Sequence, residues 1–142
     1  VYLMAPFENG DRFLEKPAEA EMPFSLWDTW RIENAIPDGS RDAVIDTSTL
    51  AELNLDQSTV SYTKGCYIGQ ELVARMHNRN LGKRHLVPIF FTHTPPAFGE
   101  FVLMGTETIG EMRSKCDKMG LVLIKKDQID LLPKNDAGFY YL

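Results

Sequence analysis

The chain reads as an α+β protein, a helical N-terminal part followed by a small antiparallel β-barrel. Three observations predict this. Apolar residues recur at helical spacing in two stretches, one from Ser25 and one over residues 69–79. Beyond residue 80 the period changes to short apolar runs at 85–91, 99–104, 108–114 and 120–126. Gly, Pro and Asn/Asp punctuate those runs, the pattern of antiparallel strands in a small barrel or sandwich. The boundary falls near residues 80–84, which divides the chain into 1–80 and 81–142.

Each element follows in order. Residues 1–5, VYLMA, are strand-like, and the next eighteen carry three prolines and many charges, so they read as loop with a tight turn at Asn9-Gly10. Leu26, Trp27, Trp30, Asn34 and Ala35 then mark one face of a helix, with Ser25 as its N-cap and Pro37 and Gly39 as its stop. The two tryptophans are expected in the core. Residues 40–62 are rich in turn formers and predict an irregular excursion over a surface. The turn KGCY leads into the second helix, where Leu72, Val73 and Met76 share a face. NLGKR breaks that helix before the strands begin, and GFYYL closes the chain as a last strand.

Composition narrows the function. The 142 residues suit one domain or two small ones. A net charge of −5, from 15 Lys+Arg against 20 Asp+Glu, does not favour nucleic acid or an anionic membrane as partner. Two cysteines fifty residues apart make no disulfide framework, and three histidines spaced by eight make no metal motif. A reducing compartment follows: cytoplasm, or the mitochondrial matrix in a eukaryote. No apolar run is long enough to span a membrane. The opening residues lack a signal-peptide pattern, and entry on Val1 predicts a piece of something longer.

The chemistry centres on KGCYIGQE, residues 64–71. A free thiol has a pKa near ~8.5 that falls beside a cation or at a helix N-terminus. Lys64 lies two residues before Cys66, and the second helix starts just after it. Gly65 and Gly69 allow a sharp turn and close approach of a ligand. The residues therefore predict a partly exposed, activated thiol, with a small buried turn residue as the alternative. No Cys–His pair is evident in sequence, which argues against a protease-like nucleophile.

These residues resemble a known family. YTKGCYIGQELVARM is similar to the signature K-G-C-Y-x-G-Q-E-x-x-x-R of YgfZ-type folate-binding proteins, relatives of the glycine-cleavage T-protein, an aminomethyltransferase. WRIENAIPDG resembles the upstream R-I-E-x-G-I-P segment, with Ala35 where glycine is usual. TIGEMRSKCDKMGLVLIKK resembles the family's terminal barrel. The likeness covers roughly residues 22–126. It implies the C-terminal part of a T-protein-like α/β domain followed by the barrel. It also implies a tetrahydrofolate-binding accessory protein that supports iron–sulfur cluster assembly or repair in client enzymes. The enzymatic alternative is aminomethyl transfer to tetrahydrofolate, but Lys64-Gly65-Cys66 sets the motif apart from true aminomethyltransferases.

The resemblance assigns Cys66 and Lys64 to the reactive centre. It assigns Arg31, Glu33, Tyr67, Gln70, Glu71 and Arg75 to folate, with no metal ligand. A pterin suits a carboxylate and aromatic walls, and its anionic tail suits Arg or Lys. Arg31 and Glu33, at i and i+2, point to different sides of a helix, whereas Arg75 and Arg79 share one. One cysteine cannot hold an iron–sulfur cluster, which takes four protein ligands. Cys116 is expected as a packing or loop thiol. The acidic pterin-binding residue expected upstream has no match in residues 1–20. The implied partners are folate and iron–sulfur client or assembly proteins. Strand edges left by an absent upstream half favour a homodimer.

Overall fold

A computed structural model describes residues 23–79, 81–135 and 140–142. The expected first strand and the Asn9-Gly10 turn lie outside them. Helix α1 spans Phe24–Glu33 and α2 spans Gln70–Asn78. Strands β1 (Arg84–Phe90), β2 (Phe101–Met104), β3 (Glu107–Cys116) and β4 (Met119–Lys125) follow. A short helix α3 (Lys126–Ile129) and strand β5 (Tyr140–Tyr141) complete the chain.

The strands form one sheet in the order β2-β3-β4-β1-β5. Three of its pairings are antiparallel, as the short apolar runs predict. The fourth is a correction, since β5 runs parallel to β1 through Ile89–Tyr140 and Phe90–Tyr141. β1 and β5 lie far apart in sequence, so no tight hairpin dictates the direction.

Strand β4 is central and buried along residues 119–124. A strand covered on both faces reads as a continuous apolar run, which GLVLI is. Its side chains alternate between two cores. Val122 and Ile124 join Val87, Ile89, Val102, Ile109 and Met112 on one face. Leu121 and Leu123 join Ile32, Leu53 and Leu86 on the other. Burying one such aliphatic side chain contributes about 1.5–3 kcal/mol. At Gly120 a Cβ would meet the flexible tip of Met112, which would have to move aside.

Residues before α2 cover the second face. Ile32 of α1 is fully buried against it. The 40–59 excursion is a chain of hydrogen-bonded turns, such as Ser48 N–H to Val44 O at 2.9 Å and Leu55 N–H to Leu50 O at 2.9 Å. It is fastened to β1 by Asn54 Nδ2 on Leu86 O (2.8 Å) and by Leu86 N–H on Glu52 O (3.1 Å). Among the described residues no strand precedes Arg84, so the part that contacts the sheet is helix and turn.

Two helical expectations need correction. Pro23 stands at the N-cap of α1, and Ser25 lies inside the helix. Proline arrives there with its φ preset and no N–H to satisfy. The tryptophans are not core residues: they stack on each other at 5.2 Å, and Trp30 is 45 % exposed. The buried stripe of α1 is instead Asp28, Arg31 and Ile32. The helix closes before Pro37, with Ala35 N–H on Ile32 O (3.0 Å) and Ile36 N–H on Arg31 O (2.8 Å). This paired C-terminal closure needs a left-handed residue, and Ala35 supplies it at φ 53°.

Candidate functional site

The KGCYIGQE motif forms an exposed turn that ends in α2. Lys64, Gly65, Cys66, Tyr67, Ile68 and Gly69 are all exposed, and Cys66 is a free thiol. Gly69 caps α2 at φ 88°, a conformation costly for any residue with a Cβ. The turn therefore stands away from the molecule and carries its thiol at the surface. Ile68 is wholly exposed and Leu72 is 62 % exposed, so apolar surface flanks the thiol. Arg75 pairs with Glu71 along the outer side of α2. An exposed pair at this spacing contributes only ~0.3–0.5 kcal/mol.

The inner side of α2 roofs a cavity of about 390 Å³. Leu72, Val73 and Met76 form its apolar wall, as their shared helical face predicts. Asp56 and Gln57 reach it from the turns, and His85 from β1. Tyr62 and His77 stack at 3.8 Å between ring centroids, inclined by 21°. The Tyr62 hydroxyl donates to Asp56 O at 3.2 Å. Desolvation, with Asp56 and Tyr67 nearby, raises the Tyr62 pKa above 10.0. The arrangement is a slot with a flat aromatic wall, an apolar wall and one carboxylate.

None of the eight residues assigned from the motif lines this cavity. Cys66, Lys64, Tyr67, Glu71 and Arg75 are exposed on the turn and the outer side of α2, and Gln70 is half-buried. Glu33 lies with Thr29 and Cys116 along a separate cavity at the end of β3. Arg31, expected toward folate, faces the interior. It is 2 % exposed and donates from Nε to Asp28 (2.6 Å) and from Nη1 to Asp42 (2.9 Å). Those bonds commit it to the interior. Tyr62, His77, Asp56 and His85 were not singled out from sequence for this slot. Only the apolar face of α2 pointed to it.

Asp42 organises the junction with the sheet. It is fully buried and accepts from Arg31 Nη1, from Asp38 N–H (2.7 Å) and from Ser114 N–H (2.8 Å). Asp28 takes Arg31 Nε and both terminal nitrogens of Arg41, at 2.7 and 2.9 Å. The pair with Asp28 raises the Arg41 pKa further above its ordinary value. Cys116 accepts from Thr29 Oγ1 at 3.4 Å and so ties β3 to α1. Among the described residues no three His, Cys, Asp or Glu side chains converge as a metal site. No helix there is long and apolar enough to cross a membrane.

Sheet and turns together define a small barrel domain of a recognised kind: residues 83–137 match the family of the CAF17 C-terminal beta-barrel domain. Over a longer stretch of the chain the likeness extends to particular proteins. It is 34 % identical over 112 residues to the mitochondrial iron–sulfur cluster assembly factor IBA57 of Homo sapiens, covering 73 % of this chain and 32 % of that protein. The IBA57 homolog of Candida glabrata is 29 % identical over 129 residues, 89 % of this chain and 23 % of its own length. The Saccharomyces cerevisiae protein is 38 % identical over 61 residues, 42 % of this chain and 12 % of its own. The chain thus spans about a third or less of the length of these relatives.

Proposed function

We propose that the chain acts in iron–sulfur cluster assembly or repair, as a tetrahydrofolate-binding accessory protein of the YgfZ type that presents Cys66 to client or assembly proteins. The observation that carries this reading is the exposed thiol on a turn held out by Gly69, in a chain similar to mitochondrial iron–sulfur assembly factors. One thiol cannot hold a cluster alone, since clusters take four protein ligands. A transient thiol contact, or a ligand shared with a partner, is the chemistry left to it. Ile68, two residues from it and wholly exposed, offers apolar contact to that partner. The relatives are mitochondrial proteins, which supports a mitochondrial location for this chain.

The cavity under α2 suits the flat head of a folate. The Tyr62–His77 stack and Leu72, Val73 and Met76 provide faces for a ring, and Asp56 provides an acceptor. Its volume falls within the ~300–1,000 Å³ usual for small-molecule sites. The described lining contains no Lys or Arg, so the anionic tail finds its cations outside the slot.

Rescue tests the assembly role. Expression of this chain in cells depleted of their own relative should restore iron–sulfur enzyme activity, and no restoration contradicts the role. Thermal unfolding with tetrahydrofolate tests the ligand, because ligand at 100 times its Kd stabilises by about 2.7 kcal/mol. His77→Ala should abolish that stabilisation. Measurable turnover of aminomethyl transfer to tetrahydrofolate would instead favour the enzymatic reading.

A further inference from the structure

Another cavity, of about 320 Å³, opens at an irregularity in β3 and is lined by Ser40, Arg41, Phe98, Arg113, Ser114 and Lys115. Met112 pairs with Val122 and Lys115 with Gly120, so Arg113 and Ser114 together oppose the single residue Leu121. Such a bulge re-aims side chains and recurs beside functional sites. Arg113 is 5 % exposed, yet its Nε and Nη1 have no hydrogen-bond partner among the described residues. Ser114 Oγ is buried and unpartnered as well. The Arg113 Cζ stands 5.6 Å from the centre of the Phe98 ring, which lines the same cavity and is 57 % exposed.

Three cations, Arg41, Arg113 and Lys115, line the cavity, with the carboxylates of Glu111, Asp28 and Asp38 close to them. Arg113 Nη1 lies 3.1 Å from Glu111 Oε1, an ion pair without hydrogen-bond alignment. Arg41 is paired with Asp28, and Asp38 is turned onto the N–H and hydroxyl of Ser40. Lys115 Nζ donates to Pro95 O at 2.8 Å, which uses one of an ammonium's three donors. Leaving donors of a buried guanidinium unmade is costly, and a planar fork matches carboxylate or phosphate oxygens.

We propose that the β3 bulge is an oxyanion site, which binds the carboxylate or phosphate of a small molecule whose apolar part rests on Phe98. The anion meets Arg113 from the cavity side and competes with Glu111 for it. Lys115 and the unpartnered Ser114 hydroxyl supply further donors. The site is independent of the slot under α2, with which it shares no lining residue.

The test is a backbone amide NMR titration of the 142-residue chain with inorganic phosphate and, separately, with benzoate. Saturable shifts at Ser40, Arg113, Ser114 and Lys115 are expected with at least one probe. The two arms distinguish a phosphate ligand from an aryl carboxylate. Arg113→Lys keeps the charge, loses the fork and should weaken binding about tenfold. Glu111→Gln removes the competing carboxylate and should tighten binding, a gain that a merely structural Arg113 would not produce. Absence of saturable shifts with both probes overturns the proposal, and so does a Glu111→Gln variant that binds no better than the parent.

Discussion

The Asp42 carboxylate accepts a 2.8 Å hydrogen bond from the Ser114 backbone N–H, across 72 residues of sequence. One oxygen of Asp42 thus holds the bulge of β3, while the other holds Arg31 of α1 and the Asp38 N–H. The turn segment and the barrel are joined by a buried charge rather than by an apolar seam alone.

Removal of that charge should be severe. In Asp42→Ala the Arg31 guanidinium keeps Asp28 but loses its second carboxylate while still buried. Breaking a buried pair in this way costs about 3–5 kcal/mol. Urea denaturation should show a large drop in midpoint for Asp42→Ala. Glu33→Ala, on the exposed side of the same helix, should change stability by less than about 0.5 kcal/mol.

Ala35 should be improvable. It occupies the left-handed position after α1 at φ 53°, where glycine carries no steric penalty. Ala35→Gly should stabilise the chain by about 1 kcal/mol, because the left-handed cost of a Cβ is roughly 1–2 kcal/mol and glycine gives part of it back in unfolded-chain entropy. A differential scan should show a higher melting temperature for the variant.

The slot under α2 should respond to alkali. Burial raises the Tyr62 pKa above 10.0, so the folded state favours the neutral phenol. The sign follows: this contribution to stability is fully present below pH 10.0 and is lost as pH rises through the higher folded value. Tyr62→Phe should flatten that alkaline loss. Phenolate absorbance during a pH titration, parent minus Tyr62→Phe, should show a late ionisation for Tyr62.

Much of this was legible in the chain. The central strand stood out because β4 is buried on both faces, and apolar runs divided by turn residues mark the strands beside it. The exposed thiol turn was marked by two glycines, one of which the αL cap requires. Helix α1 misled because its buried stripe is Asp28, Arg31 and Ile32, mostly charged, whereas its apolar residues Trp30 and Leu26 face outward. Hydrophobic periodicity cannot find a face buried through ion pairs. Asp28 stands at helical spacing from Arg31, but Asp42 lies 11 residues away and the link to β3 lies 72 away, so no local spacing reveals those two. The Tyr62–His77 stack is likewise tertiary, created only when α2 folds over the preceding turns.

The most direct test of the central claim exchanges the two thiols in the rescue assay. Cys66 is exposed on the motif turn, while Cys116 is tied to Thr29 at the end of β3. Iron–sulfur enzyme activity should be restored by the parent chain and by Cys116→Ser, and should stay low with Cys66→Ser present at the same level. Full restoration by Cys66→Ser would contradict the account.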